Sequence, residues 1–311
     1  MYRRHLPQLD GGFFVTDGGL ETTLIFHDGF DLPQFAAFDV LKTREGHEAL
    51  RTYYRSYATI ARNNNLGFVI ESPTWRASSA WGGKLGYSGK ALAGANREAV
   101  GLCGEIRDEL EADGITTVVS GCIGPRSDGY SAGDQMSAEE AEEYHGAQME
   151  VLRDTEADMA AALTMTYPEE AIGVTRAARK AGMPAAISFT VETDGRLPSG
   201  AKLDEAIRQV DEATDAGPAY YMINCAHPAH FEHVLSGNGL WRERIRGVRA
   251  NASEKSHAEL DGAAELDDGD PRKLASCYQG LRGKLPQMNL IGGCCGTDAR
   301  HIEAICRAWI G

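Results

Sequence analysis

Three cysteines stand where apolar segments of the chain end. Cys294 and Cys295 are adjacent in the segment Gly-Gly-Cys-Cys-Gly-Thr at residues 292–297, and Cys225 follows Asn224 at the end of an earlier apolar run. Thiolates are good zinc ligands, and flanking glycines let the backbone turn so that neighbouring thiols reach one ion. Three protein sulfurs leave the fourth tetrahedral position open, as in catalytic zinc sites. The spacing therefore predicts a Zn²⁺ site at the three cysteines, with a substrate as fourth ligand.

The segments that must position these cysteines repeat one pattern, a short apolar run followed by a longer stretch with helical periodicity. Eight such runs occur, at residues 13–19, 67–72, 116–122, 158–164, 185–190, 220–225, 245–251 and 289–294. Helices are predicted at 46–63, 137–156, 203–216 and 299–309, the second starting with a capping box, Ser137 and Glu140. This alternation indicates a parallel sheet covered on both faces, and eight units favour a closed (β/α)8 TIM barrel. We expect a single domain over residues 1–311.

Chemically active side chains fall at the carboxyl-terminal ends of these runs. In a (β/α)8 barrel those ends meet on one face, where active sites lie. The residues concerned are Asp17, Glu71, Cys122, Thr164, Asn224, Cys225, Asn251, Cys294 and Cys295. Their shared position predicts one active site, although a packed thiol remains the favoured interpretation of Cys122.

Composition limits the partners of the chain. A formal charge of -14 opposes binding to nucleic acid or to an anionic membrane surface, which leaves small molecules as the expected partners. The seven cysteines have no disulfide spacing, and no apolar stretch follows the first residues. We therefore expect reduced thiols and a cytoplasmic protein; a homo-oligomer remains open.

Several motifs together resemble the homocysteine S-methyltransferase family. They are Asp-Gly-Gly-Leu-Glu-Thr at 17–22, Gly-Cys-Ile-Gly-Pro at 121–125, Ser-Phe-Thr at 188–190, Asp-Gly-Arg-Leu at 194–197, Asn-Cys at 224–225 and the segment at 292–297. The resemblance runs along nearly the whole chain. It implies a (β/α)8 barrel that binds homocysteine and holds zinc through three cysteines. It also implies that Asp17 binds substrate, and we place Gly18, Thr164 and Asn224 beside it.

The methyl donor must carry an activated methyl group. Zinc coordination removes the proton of the homocysteine thiol, and the thiolate attacks the methyl group to give methionine. Sulfonium donors, S-methylmethionine or S-adenosylmethionine, are favoured, because the chain lacks room for a further cofactor domain. Betaine, folate or corrinoid donors, a different thiol acceptor and a zinc-binding barrel without catalysis remain as alternatives.

One position departs from the family pattern. Thr164 is preceded by Leu163, where the family commonly has glutamate. Without that carboxylate, recognition of the homocysteine ammonium needs another partner. We expect Asp17 with Glu71 or Glu192 to take this role, or the acceptor to be a different thiol.

Other residues are weaker candidates. His227, His230 and His233 follow Cys225, but a three-sulfur site is simpler. Aromatic side chains in the loops could hold a methylated cation, although packing is the commoner role; they are Trp75, Trp81 and Tyr130. Cys103, Cys277 and Cys306 are predicted to be buried in helices. The acidic stretch 253–271 is predicted to be a solvated loop, with a mobile lid as the alternative.

Overall fold

Eight parallel strands form a closed barrel in sequence order, as seen in a computed structural model that describes residues 1–236, 239–263 and 265–310. The strands are β1 Phe14–Val15, β2 Gly67–Glu71, β3 Thr117–Ile123, β4 Met159–Met165, β5 Ala185–Phe189, β6 Tyr220–Asn224, β7 Ile245–Ala250 and β8 Leu290–Gly293. Each strand coincides with one of the eight apolar runs, and the predicted TIM barrel is confirmed.

Helices follow the strands, and most of them cover the outside of the barrel. They are α1 Leu20–Thr22, α2 Arg44–Asn63, α3 Ser79–Lys84, α4 Gly89–Ala112, α5 Ala138–Arg153, α6 Pro168–Ala181, α7 Leu203–Thr214, α8 Pro228–Phe231, α9 His257–Asp261, α10 Pro271–Leu281 and α11 Ala299–Ile310. The four predicted helices are confirmed as α2, α5, α7 and α11. The capping box of α5 is also present, with Ser137 and Glu140 each bonding the other's backbone amide.

Among the described residues the apolar core forms three clusters, the smallest of which contains Phe38 and Leu92. The largest cluster lies between the strands and the helices and includes the buried thiols Cys103 and Cys306. A smaller cluster fills the barrel interior and includes Leu163 and Cys122. Cys277 is only partly buried, so its predicted burial is not complete.

The stretch 253–271 is more ordered than its composition predicts. It contains α9, and Asp267 accepts a hydrogen bond from Ser253 at 2.9 Å and pairs with Lys255 at 3.0 Å. His257, at the start of α9, is buried. The prediction of a merely solvated loop is therefore incomplete, because one internal ion pair and the buried side chains of Ser253 and His257 fix the segment against the barrel.

Candidate active site

Three thiols converge at the carboxyl-terminal end of the barrel. Cys225 follows β6, Cys294 and Cys295 follow β8, and their sulfur atoms all lie within 4.8 Å of one another. The Sγ atoms of Cys225 and Cys295 are 3.6 Å apart. Tetrahedral zinc with Zn–S bonds of about 2.3 Å places its sulfur ligands about 3.8 Å apart. The three residues therefore fit the predicted ion, and they are the one such cluster within the part of the chain that the structure describes.

A left-handed turn at Cys225 brings its sulfur to the cysteine pair. The residue has φ of 58°, a conformation that is unfavourable for a side chain with a Cβ. Its carbonyl oxygen accepts a hydrogen bond from Asn251 Nδ2 at 3.0 Å and lies 2.7 Å from Nε2 of His257. Nδ1 of His257 in turn lies 3.0 Å from Glu192 Oε1. The His257 ring thus bridges the Cys225 carbonyl oxygen and the Glu192 carboxylate and holds the Cys225 turn in place.

The cysteine pair is held by the neighbouring strand end. Cys294 N–H donates to the Ala250 carbonyl at 2.8 Å, and the Cys295 carbonyl accepts from Ala252 N–H at 3.0 Å. Gly296 then turns with φ of 77°, where a Cβ would lie 2.7 Å from the Asp267 carbonyl oxygen. The predicted need for glycine beside the thiols is confirmed at this position.

The three thiols share their protons unequally. Hydrogen bonds from Cys225 and Cys295 hold the pKa of the Cys294 thiol well below its usual range, and the nearby Arg249 acts in the same direction. A thiolate at Cys294 is thus favoured even by the protein's own groups. Because the thiolate is the ligand form of cysteine, this electrostatic environment suits a metal cation.

Asn224 and Thr164 brace the strand ends below the thiols. The Asn224 side chain accepts from Thr164 N–H at 2.8 Å and from Ser188 Oγ at 2.6 Å, and it donates to Thr164 Oγ1 at 2.8 Å. These bonds span β4, β5 and β6 and hold Thr164 at a φ of 63°. Both residues line the cavity beside the thiols. Their side-chain amide and hydroxyl groups are largely occupied with each other.

The cavity above the barrel has two chambers. The inner chamber, of about 70 Å³, is lined by Asp17, Gly18, Glu71 and Leu163, and the outer chamber, of about 340 Å³, opens to the surface. Both chambers are bordered by a common set of residues. These are Thr22, Phe35, Trp75, Thr164, Cys225 and Cys295. Two of the three thiols therefore lie where the chambers meet, and Cys294 belongs to the inner one.

Asp17 is engaged by protein groups. Its Oδ1 lies 2.8 Å from Nη2 of Arg249, and its Oδ2 accepts from the hydroxyl of Tyr53 at 3.0 Å. Burial alone lowers the pKa of Arg249, but Asp17 and then Glu71 raise it above its ordinary value, so the guanidinium stays charged. Gly18 leaves no space for a side chain, since a Cβ there would lie 2.9 Å from the Thr297 carbonyl oxygen. The negative charge of Asp17 in the inner chamber is therefore partly neutralised by Arg249.

Two further carboxyl groups line the inner chamber. Burial raises the pKa of Glu71 to about 7, with Arg249 opposing the shift, and burial likewise raises the pKa of Glu21 to about 7. Oε2 of Glu71 is buried and has no hydrogen-bond partner. Glu192 lies outside both chambers' linings and pairs with His257 instead. Of the two glutamates considered for ammonium recognition, the structure places Glu71 in the cavity.

Other side chains considered from the sequence are mostly occupied elsewhere. The Arg76 guanidinium covers the rings of Trp75 and Trp81, with its Cζ 4.1 Å and 3.6 Å from their centroids. Lys84 also lies over Trp81, which lines neither chamber. Tyr130 stacks on His257 at 4.1 Å, and its hydroxyl lies 3.4 Å from the Cys225 sulfur. Tyr130 and Trp75 thus border the site, whereas Trp81 does not.

The three histidines after Cys225 contact other groups. His227 Nδ1 accepts from the Ala229 amide at 3.2 Å, and His230 Nε2 lies 2.8 Å from the Glu254 carbonyl oxygen. His233 Nε2 lies 3.2 Å from the Asp194 carbonyl oxygen. Histidine is absent from the metal-ligating cluster found among the described residues, in agreement with the preference for three sulfurs.

Sequence reasoning missed Arg249, Tyr53 and His257. Arg249 lies within an apolar strand run, where a buried charge is itself a signal of function, because guanidinium groups are rarely buried without a partner. Tyr53 lies in the middle of α2, and His257 lies in the acidic stretch; neither position carries a local signal. Their roles depend on contacts between distant segments.

The fold and this site define a TIM-barrel enzyme with a cluster of three cysteine thiols at the mouth of the barrel. The sequence profile described as homocysteine S-methyltransferase matches residues 14–309. The chain belongs to the homocysteine S-methyltransferase family and is an enzyme of that family. None of the described helices has the length and apolar character needed to cross a membrane.

Similar proteins agree with this assignment. The chain is 24% identical over 323 residues to homocysteine S-methyltransferase 1 of Arabidopsis thaliana, covering 96% of this chain and 93% of that protein. It is 25% identical to betaine–homocysteine S-methyltransferase 1 of Rattus norvegicus over 84% of this chain and 64% of that protein. The metallated form of homocysteine methyltransferase MmuM from Escherichia coli superposes with a TM-score of 0.74 at 20% identity, covering 96% and 97% of the two chains. That last likeness concerns the fold.

Replacing one of the clustered thiols should abolish metal binding. We expect Cys295→Ser to weaken zinc binding by more than about 100-fold, since even the outer-shell partners of a metal ligand are worth about 10- to 100-fold. Zinc content after dialysis, measured together with circular dichroism, checks this. Cys277→Ser, a partly buried thiol on α10, is the control and should retain zinc. Stoichiometric zinc in Cys295→Ser would remove Cys295 from the ligand set.

Glu71 should make the stability of the metal-free protein depend on pH. Its folded pKa is raised from 4.5 to about 7, so its favourable contribution is present below pH 4.5 and is lost as the pH rises through 7. Glu71→Gln should therefore be more stable than the parent at pH 8, by up to about 3 kcal/mol, with little difference near pH 4.5. Urea denaturation at both pH values measures this. Glu143→Gln, exposed on α5, is the control, and parallel pH profiles for all three proteins would contradict the prediction.

Proposed function

We propose that this enzyme transfers a methyl group from a sulfonium donor to the thiol of homocysteine, giving methionine. The donor is S-methylmethionine or S-adenosylmethionine, and Cys225, Cys294 and Cys295 hold a zinc ion. The observation that carries the proposal is the position of Cys225 and Cys295 on the wall common to the two chambers. Zinc bound there would lower the pKa of the acceptor thiol and keep its sulfur nucleophilic.

The two chambers suit the two substrates. The inner chamber takes the smaller acceptor, and the outer chamber takes the donor, so that the reacting sulfur and methyl group meet at the shared wall. The acceptor thiol gives up its proton to solvent, and its sulfur then forms the new S–CH3 bond as the S–CH3 bond of the sulfonium breaks. The electron pair of the broken bond stays on the donor sulfur. Both products are then thioethers without charge at sulfur.

The outer chamber carries charges that suit a cationic donor with a carboxylate. Four acidic residues line it; Asp128 pairs with Arg76 and Asp267 with Lys255, and the negative charge of the other two favours a sulfonium. These two are Asp261 and Glu265. Arg76 lies in the same wall and is 5% exposed; its Nη1 donates to the Ser127 carbonyl at 3.0 Å and its Nη2 lies 3.6 Å from Asp128, which leaves Nε for a donor carboxylate. S-methylmethionine carries both groups, and so does betaine, which makes betaine the competing donor.

Glu71 is proposed as the partner of the acceptor ammonium. Leu163 leaves the β4 side of the inner chamber apolar, and Asp17 is already bound by Arg249 and Tyr53. Glu71 ends β2, lines the same chamber and has an oxygen without a partner. An ammonium placed beside it would favour the ionised carboxylate. Glu71 therefore supplies the charge that Leu163 does not.

Methionine formation tests the proposal directly. Zinc-loaded protein is incubated with homocysteine and, in parallel, with S-methylmethionine, S-adenosylmethionine or betaine, and methionine is quantified. We expect turnover with a sulfonium donor, loss of turnover on chelation, and recovery on adding zinc. Cys277→Ser is the active control. If the folded, zinc-loaded protein formed methionine only from betaine, the proposed sulfonium donor would be wrong. If it formed no methionine from any donor, the proposed methyl transfer to homocysteine would be wrong.

Glu71→Gln should weaken homocysteine recognition selectively. Losing a charged hydrogen-bond partner should raise KM for homocysteine about 10-fold or more, because such bonds are worth about 1.5–3 kcal/mol. The KM for 4-sulfanylbutanoate, which lacks the ammonium, should change little. Steady-state kinetics with both acceptors measures the contrast, with Glu143→Gln as the control. Equal losses for both acceptors would show that Glu71 supports the chamber without binding the ammonium.

A further inference from the structure

Arg249 is a buried cation with unused hydrogen-bond donors. It lies on β7, is 5% exposed and lines the inner chamber. Its Nη2 contacts Asp17 Oδ1 at 2.8 Å and the Gly18 carbonyl oxygen at 3.5 Å. Nε and Nη1 are both buried and have no partner. A guanidinium always carries its protons, and leaving buried donors unpaired costs free energy.

The ion pair with Asp17 does not account for these donors. A purely structural pair would be expected to use the guanidinium fork fully, as bidentate arginine–carboxylate pairs do. Here Asp17 divides its oxygens between Arg249 and Tyr53. The Nε and Nη1 groups of Arg249 remain for something else. Because Arg249 lines the inner chamber together with Cys294, a ligand in that chamber is the available partner.

The charges around the inner chamber indicate which ligand group this is. The carboxyl groups of Glu71 and Glu21 line it from β2 and α1, and Leu163 on β4 is apolar. Arg249 is the one cation among the lining residues of this chamber. A thiol that also carries a carboxylate would satisfy the unpaired donors, whereas a thiol with only an ammonium would leave them unpaired beside a second cation.

We propose that Arg249 binds the carboxylate of the methyl acceptor through Nε and Nη1, and so restricts the acceptor to thiols that carry a carboxylate. This rests on the proposed function, in which the inner chamber holds the acceptor. Arg249 is then the specificity-determining residue of the acceptor site. With Leu163 in place of a carboxylate, the acceptor's carboxylate contributes more to binding than its ammonium does.

Three thiols and a metal with a visible spectrum test this without turnover. Homocysteine, 4-sulfanylbutanoate and 3-aminopropane-1-thiol differ by the loss of the ammonium or of the carboxylate. Each is titrated into Co²⁺-loaded protein, and binding is followed by sulfur-to-cobalt charge-transfer absorption. We expect 3-aminopropane-1-thiol to bind about 100-fold more weakly than homocysteine, and 4-sulfanylbutanoate, which loses only the ammonium, to bind about 10-fold more weakly. Equal affinity for all three thiols in the unmodified protein would overturn the inference.

A substitution at Arg249 tests whether the preference for thiols with a carboxylate depends on this residue. Arg249→Lys keeps a cation beside Asp17 but loses the planar guanidinium. It should therefore weaken the binding of the two thiols that carry a carboxylate by about 10-fold or more, and leave the affinity for 3-aminopropane-1-thiol unchanged. Arg246→Lys, at the opposite end of β7, is the matched control and should change none of them. If Arg249→Lys weakened the binding of all three thiols equally, Arg249 would only position Asp17 and would not bind the carboxylate of the acceptor.

The two proposals fail in different ways. Should the unmodified protein form methionine yet show no preference for carboxylate thiols, the Arg249 inference fails and the proposed function stands. Should Co²⁺ be bound by the cysteines while none of the three thiols changes its spectrum, both the acceptor site and the Arg249 inference are overturned.

Discussion

The closure of the barrel between β1 and β8 is the constraint on which the site depends. The pairing itself is short, with Phe14 opposite Leu290 and Val15 opposite Ile291. The chain extends it beyond the strands, where Gly293 N–H donates to the Asp17 carbonyl and Gly19 N–H donates to the Thr297 carbonyl, both at 2.9 Å. These bonds join the acidic end of the inner chamber to the segment that carries the cysteine pair. Without these contacts between the β1 and β8 segments, Asp17 and the cysteine pair would not border the same cavity.

The inner chamber also depends on the balance between its acidic groups and the positive charge of Arg249. The inner chamber gathers carboxyl groups from Asp17, Glu21 and Glu71, together with thiols of which Cys294 favours the thiolate. Arg249 is the cation that faces them. Buried like charges are costly unless counter-charges are supplied, and this shifts buried carboxyl groups toward their neutral form. A metal ion and a substrate ammonium are counter-charges of the right sign, so binding and charge neutralisation favour each other here.

Much of this architecture could be predicted from the sequence, because its signals are local. Eight apolar runs gave eight strands, and even the alanine-rich run at 158–164 became β4. The cysteine cluster could be predicted because glycines and strand ends fix where the thiols point. The order of the stretch around His257 was not predicted, since composition reports average solvation and not which side chains, here Ser253 and His257, turn inward. The roles of Arg249 and Tyr53 were not predicted, because their partner, Asp17, lies far away along the chain and no local pattern encodes such a contact.

The contacts between the β1 and β8 segments also join residues that are far apart along the chain. Gly296 N–H bonds Thr22 Oγ1 across 274 positions of the chain, so this contact has one of the longest loops to close. Contacts between such distant segments form late, after local strand–helix units have assembled. During synthesis, Asp17 and Gly18 emerge early and must wait for nearly the whole chain before their neighbours exist. We therefore expect the catalytic face to close after the units that precede it along the chain, and a partly synthesised chain carries Asp17 and Glu71 without the cysteine pair at 294–295.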